Sequence, residues 1–274
     1  MRGAFALVIA ASLAAIGLAG CGGSEGLSED LSPQAAVAEA ATKTADAGSA
    51  RIDMSAAIKG GAQSFTMVGR GEFADQRGRM TFDLSDQTGQ QLSMEMIFDQ
   101  LVIYMRFPPE LGAQLPAGKS WVKMDLEALG REQGIDLAEL VQAGQSDPTQ
   151  ALQYLRGASD DFEKVGEEEI RGVDTTHYRG TVDLRKAAGQ LSEEARKSVD
   201  RIVELTGEIS FPFDVWIDEG GLARRIKYDQ PLPGAQGATM AMTMDFYDFG
   251  VEVDVEPPSD DEVIDLQELI GQGG

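Results

Sequence analysis

The chain of 274 residues holds one thiol and one imidazole, Cys21 and His177. Nucleophilic catalysis needs a nucleophile with a base beside it, and a zinc site needs several nitrogen or sulfur ligands. One residue of each kind builds neither, so no catalytic residue, metal site or cofactor is expected. His177 lies between Thr176 and Tyr178 in an alternating stretch and reads as a structural or surface histidine. The acidic runs Glu167-Glu168-Glu169 and Asp260-Asp261-Glu262 lack the spacing of a calcium loop. The first reads as a solvated strand or turn, the second as a favourably charged helix N-terminus. Gly69-Arg70-Gly71-Glu72-Phe73-Ala74 matches a dinucleotide fingerprint in letters only, because it sits among alternating strand residues with no helix after it.

What remains is Cys21 as an acceptor of modification. Met1-Arg2 gives a short positive start, and the apolar run from Ala4 to Ile16 is broken only by Ser12. That is the length of a secretory signal, not of a membrane span. Leu18-Ala19-Gly20-Cys21 resembles a bacterial lipobox, in which cleavage between Gly20 and Cys21 follows attachment of diacylglycerol to the thiol. Residues 1–20 are therefore expected to be a lipoprotein signal peptide, and Cys21 a lipidated N-terminus carrying acyl chains such as palmitate. Two chains anchor stably at about 0.8 kcal/mol per buried methylene, whereas one is marginal. Gly22 to Leu31 is rich in Gly, Ser and acid without apolar periodicity, so 21–31 reads as a flexible tether. The expected location is the extracytoplasmic face of the cell membrane.

Charge narrows the partners further. Arg2 is the only charged residue before Cys21, so the remainder carries 22 basic and 46 acidic residues, a net charge of −24. Nucleic acid is excluded as a partner, and an anionic bilayer repels the body that is tethered to it. With no second cysteine there is no internal disulfide, and stability must come from burial and hydrogen bonding.

From Ser32-Pro33 the pattern is helical up to Gly48, with a cap residue followed by proline at the first helical position. Period-two alternation follows: Ile52 to Ile58, Phe65 to Phe73, Met80 to Leu84, Leu92 to Phe98, Leu101 to Phe107 and Ser120 to Leu126. The fifth of these is apolar on both faces, which predicts a central strand. Short helices are predicted within 126–140 and after Asp147-Pro148. Strands resume at 162–171 and 176–184, and Ser192 caps a helix with Val199, Ile202 and Val203 on one face. A hairpin follows at Phe213 to Tyr228 around Glu219-Gly220-Gly221, then a strand from Met240 to Phe246. Ser259-Asp260-Asp261-Glu262 predicts a terminal helix with Val263, Leu266 and Ile270 on one side.

Four stretches carry a resemblance: Gly118-Lys119-Ser120-Trp121-Val122-Lys123, Gly172 to Asp183 with Tyr178-Arg179-Gly180, Val215-Trp216-Ile217-Asp218 running into Gly221-Leu222-Ala223-Arg224, and Asp245 to Val255 with Tyr247, Phe249 and Gly250. In them the chain resembles the actinobacterial LppX/LprG-type envelope lipoproteins. That resemblance implies an α+β fold for residues 32–274: a LolA-like curved antiparallel half-barrel with helices covering the concave face and an apolar, lipid-binding cavity between. Ten methionines follow Met1, all in predicted strands, and flexible thioethers adapt to irregular apolar ligands. Candidate cavity-lining residues are Met54, Met67, Phe82, Met94, Met96, Phe98, Ile103, Met105, Met240, Met242, Met244 and Phe246. Two functions are expected from this pattern. The first is a non-catalytic carrier or chaperone for lipids or lipidated molecules. The alternative is an envelope scaffold or sensor with a filled core that binds a protein partner.

Overall fold

The structure is a computed structural model that describes residues 31–59, 65–74, 77–86, 89, 91–113, 115–116, 118–138, 161–188, 193–206, 210–231 and 239–272. The expected signal peptide, Cys21, most of the tether and the helix after Asp147 lie outside these residues.

One open, curved sheet of twelve strands organises the molecule, with few helices. The strands are β1 (Ser49–Lys59), β2 (Phe65–Ala74), β3 (Arg77–Asp86), β4 (Gln91–Asp99), β5 (Val102–Arg106), β6 (Trp121–Asp125), β7 (Glu163–Ile170), β8 (Val173–Asp183), β9 (Ser210–Asp218), β10 (Ala223–Pro231), β11 (Thr239–Tyr247) and β12 (Val263–Asp265). Their order is β12-β6-β5-β4-β3-β2-β1-β11-β10-β9-β8-β7. All neighbours run antiparallel except β12 and β6, which are parallel. Two meanders are thus joined through the β1–β11 pair.

Local chemistry sets the element ends. In α1 (Pro33–Asp46), Ser32 Oγ accepts from the Ala35 amide at 3.3 Å, and beyond the last turn Gly48 takes φ +73. The β7–β8 loop is only Arg171-Gly172, since Ile170 pairs with Val173, and both loop residues have positive φ, 54 and 82. That is the conformation two-residue hairpins demand. At the β9–β10 turn, Asp218 Oδ1 accepts from the Leu222 amide at 2.9 Å, and Arg224 Nε donates to Oδ2 at 2.6 Å.

Three expectations are corrected. The strand that is apolar on both faces is β5, and it lies third from the β12 edge. Its outer side is apolar because the chain leaving β11 returns across that face. Val253, Val255 and Val263 pack there on Ile97, Tyr104 and Trp121, and Ser49 Oγ pins the return by donating to the Val251 carbonyl at 2.5 Å. The terminal segment is not one helix either: Asp260–Glu262 is a 3-10 turn, Val263 starts β12, and the helix is confined to Leu266–Gln272. Ser259 makes no backbone cap, and its hydroxyl is bonded to Glu262 Oε2 at 2.9 Å. The acidic run therefore heads the 3-10 turn and the edge strand.

The remaining helices are α2 (Pro109–Gly112), α3 (Leu126–Glu132), α4 (Leu184–Ala188), α5 (Glu193–Thr206) and the terminal α6 (Leu266–Gln272). Among the described residues the helices pack mainly toward the two ends of the sheet: α1 on β7, β9 and β10, α4 on β8, α3 on β5, and α6 on β6 and β12. Among the described residues the expected helical cover of the concave face is seen at those ends, and α5 links them: it packs on α4, Ser198 Oγ accepts from the Asp136 amide, and Arg201 Nε donates to the Gln133 carbonyl.

Candidate apolar binding face

Strand alternation and register bring the candidate side chains together. Read across the strands, one row is Met242, Ala56, Met67, Leu84 and Leu92. A second row is Met244, Met54, Gly69, Phe82 and Met94. A third is Phe246, Ile52, Gly71, Met80, Met96, Met105 and Val122. Because side chains alternate with period two, residues opposite in register share a face. All twelve candidates fall into two clusters on this inner face, one over β3–β6 and one over β11 and β1. All ten methionines after Met1 are there as well, and none is on β7–β10.

Burial divides the set. Phe82, Met96, Phe98, Ile103, Met240, Met242, Met244 and Phe246 are buried, whereas Met54, Met67, Met94 and Met105 are half-buried. The glycines of β2 serve this face. A Cβ on Gly69 would meet the Phe82 ring at 2.6 Å, and one on Gly71 would meet the Arg79 carbonyl at 2.1 Å and Met80 Cγ at 2.6 Å. These glycines let Phe82 and Met80 lie flat against the backbone opposite them, which is the physical content of the Gly-x-Gly letters. On this face Tyr228 Oη donates to Met242 Sδ at 2.8 Å. A small pocket of about 50 Å³ lies at the α3–α6 seam, lined by Met124, Asp125, Leu129, Asp265, Leu266 and Gln267 among others. It has room for about one or two waters.

The inner face of β7–β10 is built differently. Val215, Ile217, Ala223, Phe162 and Phe213 pack against Val37 and Ala40 of α1, a helix whose buried positions are alanine and valine.

On the outer face of these strands His177 is 4% exposed and stacked on Trp216, with centroids 4.1 Å apart. Its Nε2 lies 2.6 Å from Asp214 Oδ1, which also accepts from Arg179 Nε at 2.8 Å. Glu168 Oε2 accepts from Trp216 Nε1 at 3.1 Å. His177 Nδ1 is 3.4 Å from Glu168 Oε1 but makes no hydrogen bond to it. The histidine is thus structural and buried. No nucleophile is bonded to it, and among the described residues no group of three His, Cys, Asp or Glu side chains is placed to hold a metal.

The tip of the β7–β8 hairpin closes this layer. Arg171 reaches Asp53 of β1 at 2.8 Å and lies 3.9 Å over the Tyr247 ring. Its hydrogen bond to Asp53 raises the guanidinium pKa, and Tyr247 is raised by burial and then by its own hydrogen bond to Asp53. Arg225 and Asp245 form a two-point pair at 2.5 and 2.7 Å. The sequence reading missed this network, because partners such as His177 and Asp214 are 37 residues apart and meet only through register. Asp214, an acid between Phe213 and Val215, was the available signal. No described helix is long and apolar enough to cross a membrane.

Comparison with known proteins places the chain. It belongs to the same family as an uncharacterised 31.2 kDa protein of Streptomyces griseus from the rplA-rplJ intergenic region, with 30% identity over 260 residues, 89% of this chain and 82% of that protein. It is also similar to a candidate lipoprotein of Streptomyces coelicolor, at 28% identity over 175 residues, 62% of this chain and 50% of the relative. Among solved structures it is similar to the Mycobacterium tuberculosis lipoprotein LppX, with 12% identity, 83% of this chain and 100% of that chain covered, and a TM-score of 0.48. No protein-family model matches the chain.

Proposed function

We propose that this protein is a membrane-anchored, non-catalytic carrier or chaperone of the LppX/LprG lipoprotein type, binding lipids or lipidated molecules on the inner face of its sheet. The observation that carries the reading is the segregation of methionine. All ten methionines after Met1 sit on the inner face of β1–β6 and β11. Strands β7–β10, which pack on α1 and α4, have none. Unbranched thioethers repack around irregular apolar ligands at low cost, whereas branched side chains against a helix hold one arrangement. In this reading residues 1–20 are the signal peptide, acylated Cys21 is the anchor, 21–31 is the tether and 32–274 is the carrier domain.

The test is native mass spectrometry of the Cys21→Ser protein purified from the soluble fraction outside the cytoplasm. Co-purified lipid adducts that disappear on delipidation and return on incubation with lipid are the expected result. A ligand-free spectrum together with no binding of an apolar fluorophore would favour the scaffold reading. The burial of Met240, Met242 and Met244 at 4 to 6% exposure supports that alternative for the β11 side of the face. The same variant tests the anchor: it should leave the membrane fraction while staying folded, because a lost acyl chain removes the anchoring burial.

A further inference from the structure

Exposure is graded along the inner face, and the gradient has a direction. At one end of β1–β4 the inward side chains Ile58, Phe65, Met67, Leu84, Leu92 and Met94 are half-buried around two buried ones, Ala56 and Phe82. Two residues further along, Met80 and Met96 are buried, at 4 and 8% exposure, and beyond them Phe98, Ile103 and Met124 are buried at 6, 0 and 3%. The neighbouring β11 side is closed, since Met240 and Met242 are buried although they pair with Ile58 and Ala56. Resting on the carrier reading above, we propose that this end of β1–β4 is the mouth of the site and that a ligand enters it hydrocarbon tail first, leaving its polar headgroup at the Met67–Leu84–Leu92 row.

The chemistry of the two ends fixes the orientation. By register, every inward position from Leu84 and Leu92 to Phe98, Ile103 and Met124 is apolar or glycine. A charged or strongly hydrogen-bonding headgroup would be desolvated there without a partner, which costs several kcal/mol. An uncharged tail has no such penalty, even in a chain this acidic. The competing route is the seam between α3 and α6, which Met124 lines, two residues from the β6 position that pairs with half-buried Met105. Its pocket of about 50 Å³ is flanked by Asp125, Asp265 and Gln267, which makes it too small and too polar for an acyl chain. It is further tied shut by Gln267 Nε2 donating to Glu132 Oε1 at 2.8 Å.

Methionine oxidation reads the mouth directly. Hydrogen peroxide transfers one oxygen to the thioether sulfur and leaves as water, at a rate that follows exposure. The full chain in detergent is pulsed with peroxide, with and without saturating cis-parinaric acid, and each methionine is quantified by peptide mass spectrometry. Without the probe, Met67 and Met94 should oxidise faster than Met80, Met96 and Met240. With the probe bound, Met67 and Met94 should slow by about tenfold while Met105 changes little. Binding reported by fluorescence with protection centred on Met105, or with Met67 and Met94 unprotected, overturns the mouth and leaves the carrier reading standing. No binding at all overturns both.

Discussion

β10 and β11 are adjacent strands of one sheet, yet the inner faces on either side of their pairing follow opposite packing rules. From β10 to β7 the inward side chains are mostly branched or aromatic and sit under a helix of small residues. From β11 to β6 they are largely methionine and phenylalanine arranged in cross-strand rows. The outer faces are both cross-braced by ion pairs, by His177–Asp214, Arg225–Asp245 and Arg171–Asp53 toward β7 and by Arg77–Asp99 and Arg79–Glu95 on β3–β4. The second half is covered in addition by an apolar return of the chain over Ile97, Tyr104 and Trp121. The rigid half therefore acts as a frame, and the methionine half is the part able to repack.

The comparison breaks most sharply at Ile217, 1% exposed beneath α1. Ile217→Ala leaves a void that branched neighbours and a helix fill poorly, so it should cost about 2–5 kcal/mol in chemical denaturation. If the frame relaxes and the loss falls below about 1 kcal/mol, the two halves do not differ in rigidity.

His177→Ala comes next. It removes one of the two partners of Asp214 Oδ1, leaving Arg179, and the stack on Trp216, for an expected loss of about 1–3 kcal/mol. Affinity for an apolar probe should stay within about twofold, because the residue is on the outer face. Loss of binding at unchanged stability would mean that the outer network reports to the inner face.

Within the methionine half a smaller contrast is available. Met242 is buried and contacts Tyr228 Oη, so Met242→Trp should overpack by about 1–3 kcal/mol. Met67 is half-buried at the proposed mouth, so Met67→Trp should cost under about 1 kcal/mol and weaken probe binding by filling the opening. Equal melting temperatures for the two variants would erase the gradient on which the mouth rests.

Much of this plan is legible in the chain. Period-two alternation places β1–β4, β6 and β9–β11 within a few residues, because each strand has one apolar face and one polar one. Legibility fails where a strand has two apolar neighbours. β5 looks central because Tyr104 is apolar-packed on the outer side, and only the returning chain explains that. β12 is three residues long and parallel to β6, too short to show a period. The inner face is legible as a Met pattern, but its mouth is not, since Met67 and Met80 have the same sequence signature and differ only in what lies over them.

The smallest effect is one of pH. Tyr178 packs in the helix-backed half, where burial raises its pKa above the ordinary tyrosine value. Tyr247 and Tyr104, on the outer face, are raised in the same direction, each chiefly by burial. For such a group the unfolded chain ionises first, at a pH of about 10. The stability it contributes is therefore fully present below about pH 10 and is lost as the pH climbs through the higher folded value. The inward positions of β2–β4 from Met67 to Phe98 carry no titratable side chain, so the methionine face has nothing to lose in that window. Melting temperature should fall as the pH rises above about 10, and Tyr178→Phe should flatten the fall without altering stability at neutral pH. Amide exchange should place the loosening first in β8, β11 and β5, the strands that carry these tyrosines, and later in β2–β4. Earlier exchange in β2–β4 would mean that the methionine face, not these tyrosines, sets the alkaline limit.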